Sequence, residues 1–249
     1  MRGNSYRGEH RLNTQETELN RILEIVGRIA ETTADGDYIY RGEPQHYEQV
    51  SSSLWRECQK EIGTEEFDIE AIQARMLELA KGYTHEEDNF EILTELQHYG
   101  GYTNLIDFTT DNHIALFFAC AGSLGKPGRI ILLERSEEIN KKYQIKEPRN
   151  PQNRIIAQKS VFVRPPNGYL DPKQYNVIDI PGVLKEPILD HLQKQHGIST
   201  RNVYNDLHGF IRDQNTHLKE CIEVYNAETE PKKDVFQIES SQSSKEKET

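Results

Sequence analysis

Between residues 14 and 30 the apolar side chains Leu19, Ile22, Leu23, Val26, Ile29 and Ala30 recur at helical spacing with polar residues between them. That period predicts an amphipathic helix. Asp35-Gly36-Asp37 breaks it, and Tyr38-Ile39-Tyr40 then reads as a short strand running into Arg41-Gly42. Helical spacing returns over 65–81, with Ile69, Ile72, Met76, Leu79 and Ala80 on one face, and over 89–99, where Gly100-Gly101 supplies a stop. The run Ile114-Ala115-Leu116-Phe117-Phe118-Ala119 is apolar almost all round, so its helix is expected inside the core, capped by Thr110 or Asp111. After the turn Lys126-Pro127-Gly128, Arg129 to Leu133 is the clearest strand. Residues 154–163 predict one strand or two short ones, and Val177 to Ile180 another. Pro187 suits the first turn of a helix that Gly197 ends, and helical sequence continues to about Tyr225.

Helices flanking a modest number of strands imply an α+β class with a small mixed sheet. The chain divides into an N-terminal helical segment over 1–37, a main domain over 38–227, and a tail over 228–249. That tail is almost entirely Glu, Lys, Ser, Gln and Thr, has little apolar surface to bury, and is expected to be disordered. Among 249 residues, 35% are hydrophobic and 29% charged, a balance suited to a soluble globular protein. The longest apolar run, Ile114 to Ala121, is far shorter than a membrane span, and residues 1–5 lack an apolar signal region. Cys58, Cys120 and Cys221 form no CxxC pair, so neither a disulfide framework nor a cysteine metal site follows, and a reducing cytoplasm is the expected location. The net charge of −11 opposes stable binding to a long polyanion unless a local patch such as Arg149, Arg154, Lys159 and Arg164 overrides it.

Three segments concentrate polar chemistry. In Tyr40-Arg41-Gly42-Glu43 the arginine ends a strand, where a guanidinium can hold a phosphate or pair with a surface carboxylate, and the glycine permits close approach of a ligand. The stretch Gln97 to Thr110 packs His98, Tyr99, Tyr102, Thr103, Asp107, Phe108 and Thr109 into a helix–loop–helix junction. Its rings can stack on a base, its hydroxyls can hold a ribose, and the helix start near Thr110 offers N–H groups to an anion. The plainer reading is that Asp107 and Thr110 cap the buried helix and His98 is a hydrogen-bonded core residue. In Arg154-Ile155-Ile156-Ala157-Gln158-Lys159-Ser160-Val161-Phe162, apolar flanks place Gln158 and Ser160 on or between strands, where a buried amide must find a partner. His85-Glu86-Glu87-Asp88 reads as a solvated helix start. His191 and His196 are poorly spaced for shared ligation, and no metal site is predicted.

Together these segments resemble the FRG domain, a bacterial family named for a Phe-Arg-Gly motif whose place is taken here by Tyr40-Arg41-Gly42. Ser52-Ser53-Leu54-Trp55-Arg56 is similar to the family's Pro-Ser-Leu-Phe-Arg, with serine for proline. Gln97-His98-Tyr99-Gly100, Thr103, Leu105-Ile106-Asp107-Phe108-Thr109 and Ala115-Leu116-Phe117-Phe118-Ala119 follow the central pattern. The departures are the missing proline before Thr103, Asn104 for Arg and Phe108 for Trp. Arg154, Gln158 and Phe162 follow the late pattern, with Ser160 for glycine, and Gly197-Ile198 with Tyr204 to Gly209 a C-terminal one. The resemblance covers about residues 38–212.

The order of these segments is similar in turn to that of ADP-ribosyltransferases, and this likeness implies a fold of that type and NAD as donor substrate. It carries the NAD-contacting arginine onto Arg41, the segment shaping the nicotinamide pocket onto Asp107-Phe108-Thr109, and the late glutamate position onto Gln158. Glutamine lacks the full charge and basicity of that acid, so Asp107 or Glu43 is expected to replace it, or positioning and electrostatics to carry the reaction. The implied catalytic set is Arg41, His98, Tyr99, Asp107 and Gln158, and the implied NAD-binding set is Arg41, Gly42, Tyr99, Thr103, Phe108, Thr109 and Arg154. The likeness further implies a macromolecular acceptor, protein or RNA, a role as a toxin or anti-phage effector, and an antitoxin or chaperone partner. A binding module without activity and an NAD glycohydrolase are the competing readings.

Overall fold

The computed structural model describes residues 5–63, 66–149, 153–212 and 214–229. Helix α1 (Ser5–Thr32) leads into β1 (Tyr38–Glu43), followed by α2 (Ser53–Ile62), α3 (Ile69–Ala80) and α4 (Asn89–His98). Next come β2 (Ile106–Thr109), α5 (Asn112–Cys120), β3 (Gly128–Glu134), α6 (Glu137–Lys142), β4 (Gln144–Lys146), α7 (Asn153–Ala157) and β5 (Ser160–Arg164). The chain continues through β6 (Asn176–Ile180), α8 (Lys185–His196) and α9 (Thr200–Val203), then α10 (Leu207–Arg212) and α11 (Gln214–Thr229). It divides into two compact units between Asp206 and Leu207. The second contains α10 and α11, with the Phe210 and His217 rings stacked 4.8 Å apart. The expected disordered tail lies, from residue 230 onward, outside the described residues.

Side-chain caps start the helices where the sequence provides short oxygen-bearing residues. Ser52 accepts from the Trp55 N–H, Asp68 from Ala71, Asp88 from Phe90 and Glu91, and Asp111 from His113. Gly197, in the left-handed region at φ 66°, ends α8. Asp111 rather than Thr110 caps α5, and Asp107 caps nothing because it lies on a strand. The burial stripes also shift. Ile22, Ile25 and Ile29 face inward from α1, leaving Leu19 and Leu23 exposed, and α3 buries Ile69, Gln73 and Leu77 while Leu79 is exposed.

The six strands form one sheet in the order β4-β5-β2-β1-β3-β6, with every pairing antiparallel, so the class is α+β. β3 lies between β1 and the edge strand β6, and Ile130 to Leu133 are all fully buried because both faces are covered. On one face α1, α5 and α8 pack over Tyr40, Ile130, Leu132, Ile178 and Ile180. On the other, Ile39, Ile106, Phe108, Ile131, Leu133, Val161 and Val163 meet Val50, Ile139, Tyr143 and Leu170. Each such fully buried aliphatic or aromatic side chain contributes about 1.5–3 kcal/mol. α5 is the central helix and is buried nearly all round, as its composition predicts. It sits so close to the sheet that a Cβ on Gly42 would lie 1.8 Å from the Ala115 carbonyl oxygen, and one on Gly128 2.2 Å from that of Ala119.

Two sequence expectations fail here. Residues 106–109 are a strand rather than part of a helix–loop–helix junction, pairing with β5 from Ile106↔Val163 to Thr109↔Ser160. Residues 154–157 are helical, and only 160–164 form the expected strand. Between them Lys159 adopts φ 46°, an uncommon conformation for a side-chain-bearing residue. The short helix α7 is held by contacts remote in sequence, which the strand-like Ile155-Ile156 pair does not foretell.

Candidate active site

β1 and β2 lie at the centre of the sheet yet pair at a single position, Tyr40↔Thr109. Beyond that pair a cavity of about 290 Å³ opens, walled on one side by Tyr40, Arg41 and Gly42 and on the other by Asp107, Phe108 and Thr109. Gln97 and His98 from the end of α4, Phe118 from α5, Arg154, Ile155 and Gln158 from α7 and its turn, and Tyr204 complete the lining. Segments as far apart in sequence as Tyr40 and Tyr204 thus meet where the two strands stop bonding.

Arg41 spans the gap. Its Nη1 donates to the Asp107 carbonyl at 2.9 Å, and its Nε donates to Glu43 Oε1 at 3.0 Å. Glu43 is only 2% exposed, and its other oxygen accepts from Arg129 Nε at 2.8 Å. A carboxylate held between two guanidiniums is a structural anchor, so Glu43 does not supply the acid that the sequence assigned to it as one option. Arg56 lies close to the same end of the cleft and rests on the Ser51 carbonyl. Lost hydration, then the neighbouring charge of Arg41, pushes its pKa below the ordinary value, while Glu43 and Asp107 pull the other way. Its place in the quoted Ser-Leu-Trp-Arg segment was the only sequence signal for it.

Asp107 is the exposed carboxylate of the cleft. Its Oδ2 accepts from Gln97 Nε2 at 2.8 Å, and Gln97 Oε1 in turn accepts from the Thr103 hydroxyl at 2.5 Å. Thr103 is fully buried and absent from the cavity wall, so it is not placed to contact a ligand as expected. Thr109 lines the wall, but its hydroxyl accepts from the Asp111 N–H at 3.0 Å and shapes the turn into α5. Gly42 is required by the packing of α5 against the strand. That requirement accounts for the glycine without a ligand.

The rings distribute differently from the sequence reading. Tyr99 is 61% exposed and outside the cavity, with its ring set edge-on to His98 at 5.1 Å. Phe108 borders the cavity, but it is only 3% exposed and its ring packs into the core. The aromatic wall comes from Tyr204 and Phe118, 6.0 Å apart, with the Arg154 guanidinium 5.2 Å above Tyr204. Asp206 then ties two cleft residues together, accepting from Arg154 Nη2 at 3.1 Å and lying 3.4 Å from His98 Nε2. Both Tyr204 and Asp206 fall in the quoted C-terminal pattern, which gave no sign of their role. Gln158 lies on the turn after α7, not on a strand, and its Nε2 donates to the Val203 carbonyl at 3.1 Å. Its amide therefore braces the wall of the cleft.

The basic patch read from the sequence is paired throughout. Arg149 meets Asp88, Arg154 meets Asp206, Lys159 meets Asp111 and Arg164 meets Glu70. Among the described residues no helix is long and apolar enough to cross a membrane, and no cluster of three or more His, Cys, Asp or Glu residues is arranged to hold a metal.

No curated protein and no solved structure matches this chain. Residues 36–126 match the FRG domain, a shorter stretch than the resemblance over 38–212. The matched stretch runs from just before β1 to just past α5 and contains Arg41, Gln97, His98 and Asp107; Arg154, Gln158, Tyr204 and Asp206 lie beyond it. Over residues 36–126, then, this chain is similar to the FRG domain.

Proposed function

We propose that the cleft binds NAD and transfers ADP-ribose to a macromolecular acceptor, protein or RNA, in the service of a toxic or antiviral role. The observation that carries this reading is the meeting of Arg41, His98, Asp107 and Arg154 around one cavity between β1 and β2. At about 290 Å³ it suits the nicotinamide riboside half of the dinucleotide, with the remainder reaching outward past Arg41 and Arg56.

In such a reaction the bond from ribose C1′ to the nicotinamide nitrogen breaks, and nicotinamide leaves neutral with the electron pair. Positive charge develops on the ribose, and the acceptor's lone pair then forms the new bond to C1′ as its proton passes to a base. Arg41, whose Nη2 carries no hydrogen bond among the described residues, suits the pyrophosphate. Asp107 is the side chain suited to the ribose cation and the acceptor proton, since Glu43 is closed between two arginines. Tyr204 and Phe118 offer ring faces for the nicotinamide.

A second reading, a nucleotide- or partner-binding module without turnover, is favoured by one observation. The late polar positions are engaged within the protein, Gln158 with Val203 and Arg154 with Asp206. Purified protein incubated with labelled NAD and a cell extract separates the readings. Label moved onto protein or RNA, and lost in Asp107→Ala and Arg41→Ala, supports the transferase. Free ADP-ribose identifies a glycohydrolase, and absence of turnover leaves the binding module.

A further inference from the structure

We infer that Thr103 and Gln97 are positioning residues for Asp107, with Thr103 acting entirely through the Gln97 carboxamide. Thr103 is 0% exposed, so its hydroxyl proton needs an acceptor inside the protein, and Gln97 Oε1 at 2.5 Å is that acceptor. A carboxamide has one accepting end and one donating end. Once its oxygen faces Thr103, its Nε2 faces Asp107 Oδ2, where it bonds at 2.8 Å. The reversed amide would set a carbonyl oxygen against a carboxylate oxygen, so a buried hydroxyl dictates which group the carboxylate meets.

Thr103 is itself fixed from α2. Its N–H donates to Ser53 Oγ at 3.1 Å, and its carbonyl accepts from Ser53 Oγ at 3.3 Å and from the Leu54 N–H at 3.1 Å. The Leu105 N–H donates to its hydroxyl oxygen at 3.2 Å. Asp107 is thereby held at both ends, by Arg41 at the main-chain carbonyl and by Gln97 at the side chain. Gln97 and Asp107 line the cavity while Thr103 does not, so Thr103 reaches the site only by way of the amide. A carboxylate orientated before the ligand arrives needs no reorganisation when charge develops beside it.

The catalytic consequence rests on the transferase reading, while the positioning itself does not, and two measurements on the full chain keep them apart. In the first, the Gln97 side-chain amide resonances are followed by nitrogen–proton NMR in the wild type, Asp107→Ala, Thr103→Val and Thr103→Ser. The amide proton bonded to Asp107 is expected to move upfield in Asp107→Ala and Thr103→Val and to keep its place in Thr103→Ser, which retains the hydroxyl. In the second, turnover of labelled NAD in Thr103→Val is expected to fall about tenfold in kcat with KM changed less than twofold, and Thr103→Ser to recover it. Gln97 resonances indifferent to both Asp107→Ala and Thr103→Val, or a serine variant matching the valine one, overturn the positioning role. A wild type that leaves NAD untouched removes the transferase instead, and the resonances alone then decide.

Discussion

Gly42 on β1 and Ala115 on α5 approach so closely that a Cβ at position 42 would sit 1.8 Å from the Ala115 carbonyl oxygen and 2.5 Å from the Ala119 nitrogen. Both opposing atoms are main chain, so no rotamer change relieves the contact. Gly42→Ala is expected to destabilise the protein by about 3 kcal/mol or more, as severe overpacking does. Urea unfolding followed by circular dichroism measures it, and a loss under about 1 kcal/mol would mean that α5 can move away from the sheet.

Glu43 separates two guanidiniums that would otherwise face each other near the base of the cleft. Glu43→Gln keeps the shape and removes the charge, leaving Arg129, 8% exposed, without its counter-ion. The expected cost is about 3–5 kcal/mol. The same denaturation experiment checks it, and a variant as stable as the wild type would show the pair to be screened by solvent.

Asp111 links the start of α5 to the turn carrying Gln158. The hydrogen bond with the His113 side chain, then those from Lys159 and the His113 N–H, hold its carboxyl well below the usual carboxylate range. A folded-state pKa below the unfolded one, about 3.9, adds stability that is fully present above that value and is lost as pH falls through the folded-state pKa. Asp111→Asn retains a capping oxygen, so thermal melts should lose less stability than the wild type between pH 4 and pH 2. Parallel acid limbs in the two proteins would contradict this assignment.

The cysteines should react in order of access. Cys221 is exposed, whereas Cys58 and Cys120 are buried. Burial pushes the Cys120 thiol up to about 12 and raises that of Cys58 as well. A disulfide reagent at pH about 8 is expected to label Cys221 rapidly and the other two only after unfolding. Rapid labelling of Cys120, read by mass spectrometry of the peptides, would show that the core around α5 opens readily.

Much of the cleft was legible in advance. Arg41, His98, Asp107, Arg154 and Gln158 all border the same cavity, although the elements beneath some of them were misread. β2 was hidden because it is four residues long and follows a glycine-rich loop, so the alternation Ile106-Asp107-Phe108-Thr109 was too brief to outweigh the helical sequence on either side. Residues 154–157 carry strand-like isoleucines yet form a helix held by Asp206, a partner 52 positions away from Arg154. Thr103 reads as a ligand hydroxyl within its motif, and only its burial against Ser53 turns it inward.

The sequence by itself determined the features that act over a few residues: the cap beside the buried helix, the apolar run from Ile114 within it, the stop at Gly197 and the FRG-like segment with its Arg-Gly and Gln-His-Tyr-Gly runs. Tertiary structure alone decided what each polar side chain does, closing Glu43 between arginines, pairing the basic patch charge by charge, and making Gly42 a seat for α5. Propensity and capping depend on near neighbours along the chain. The role of a charge or a hydroxyl depends on the partner that faces it once the sheet has formed, and here such a partner comes from 94 residues away in the pair of Glu70 and Arg164.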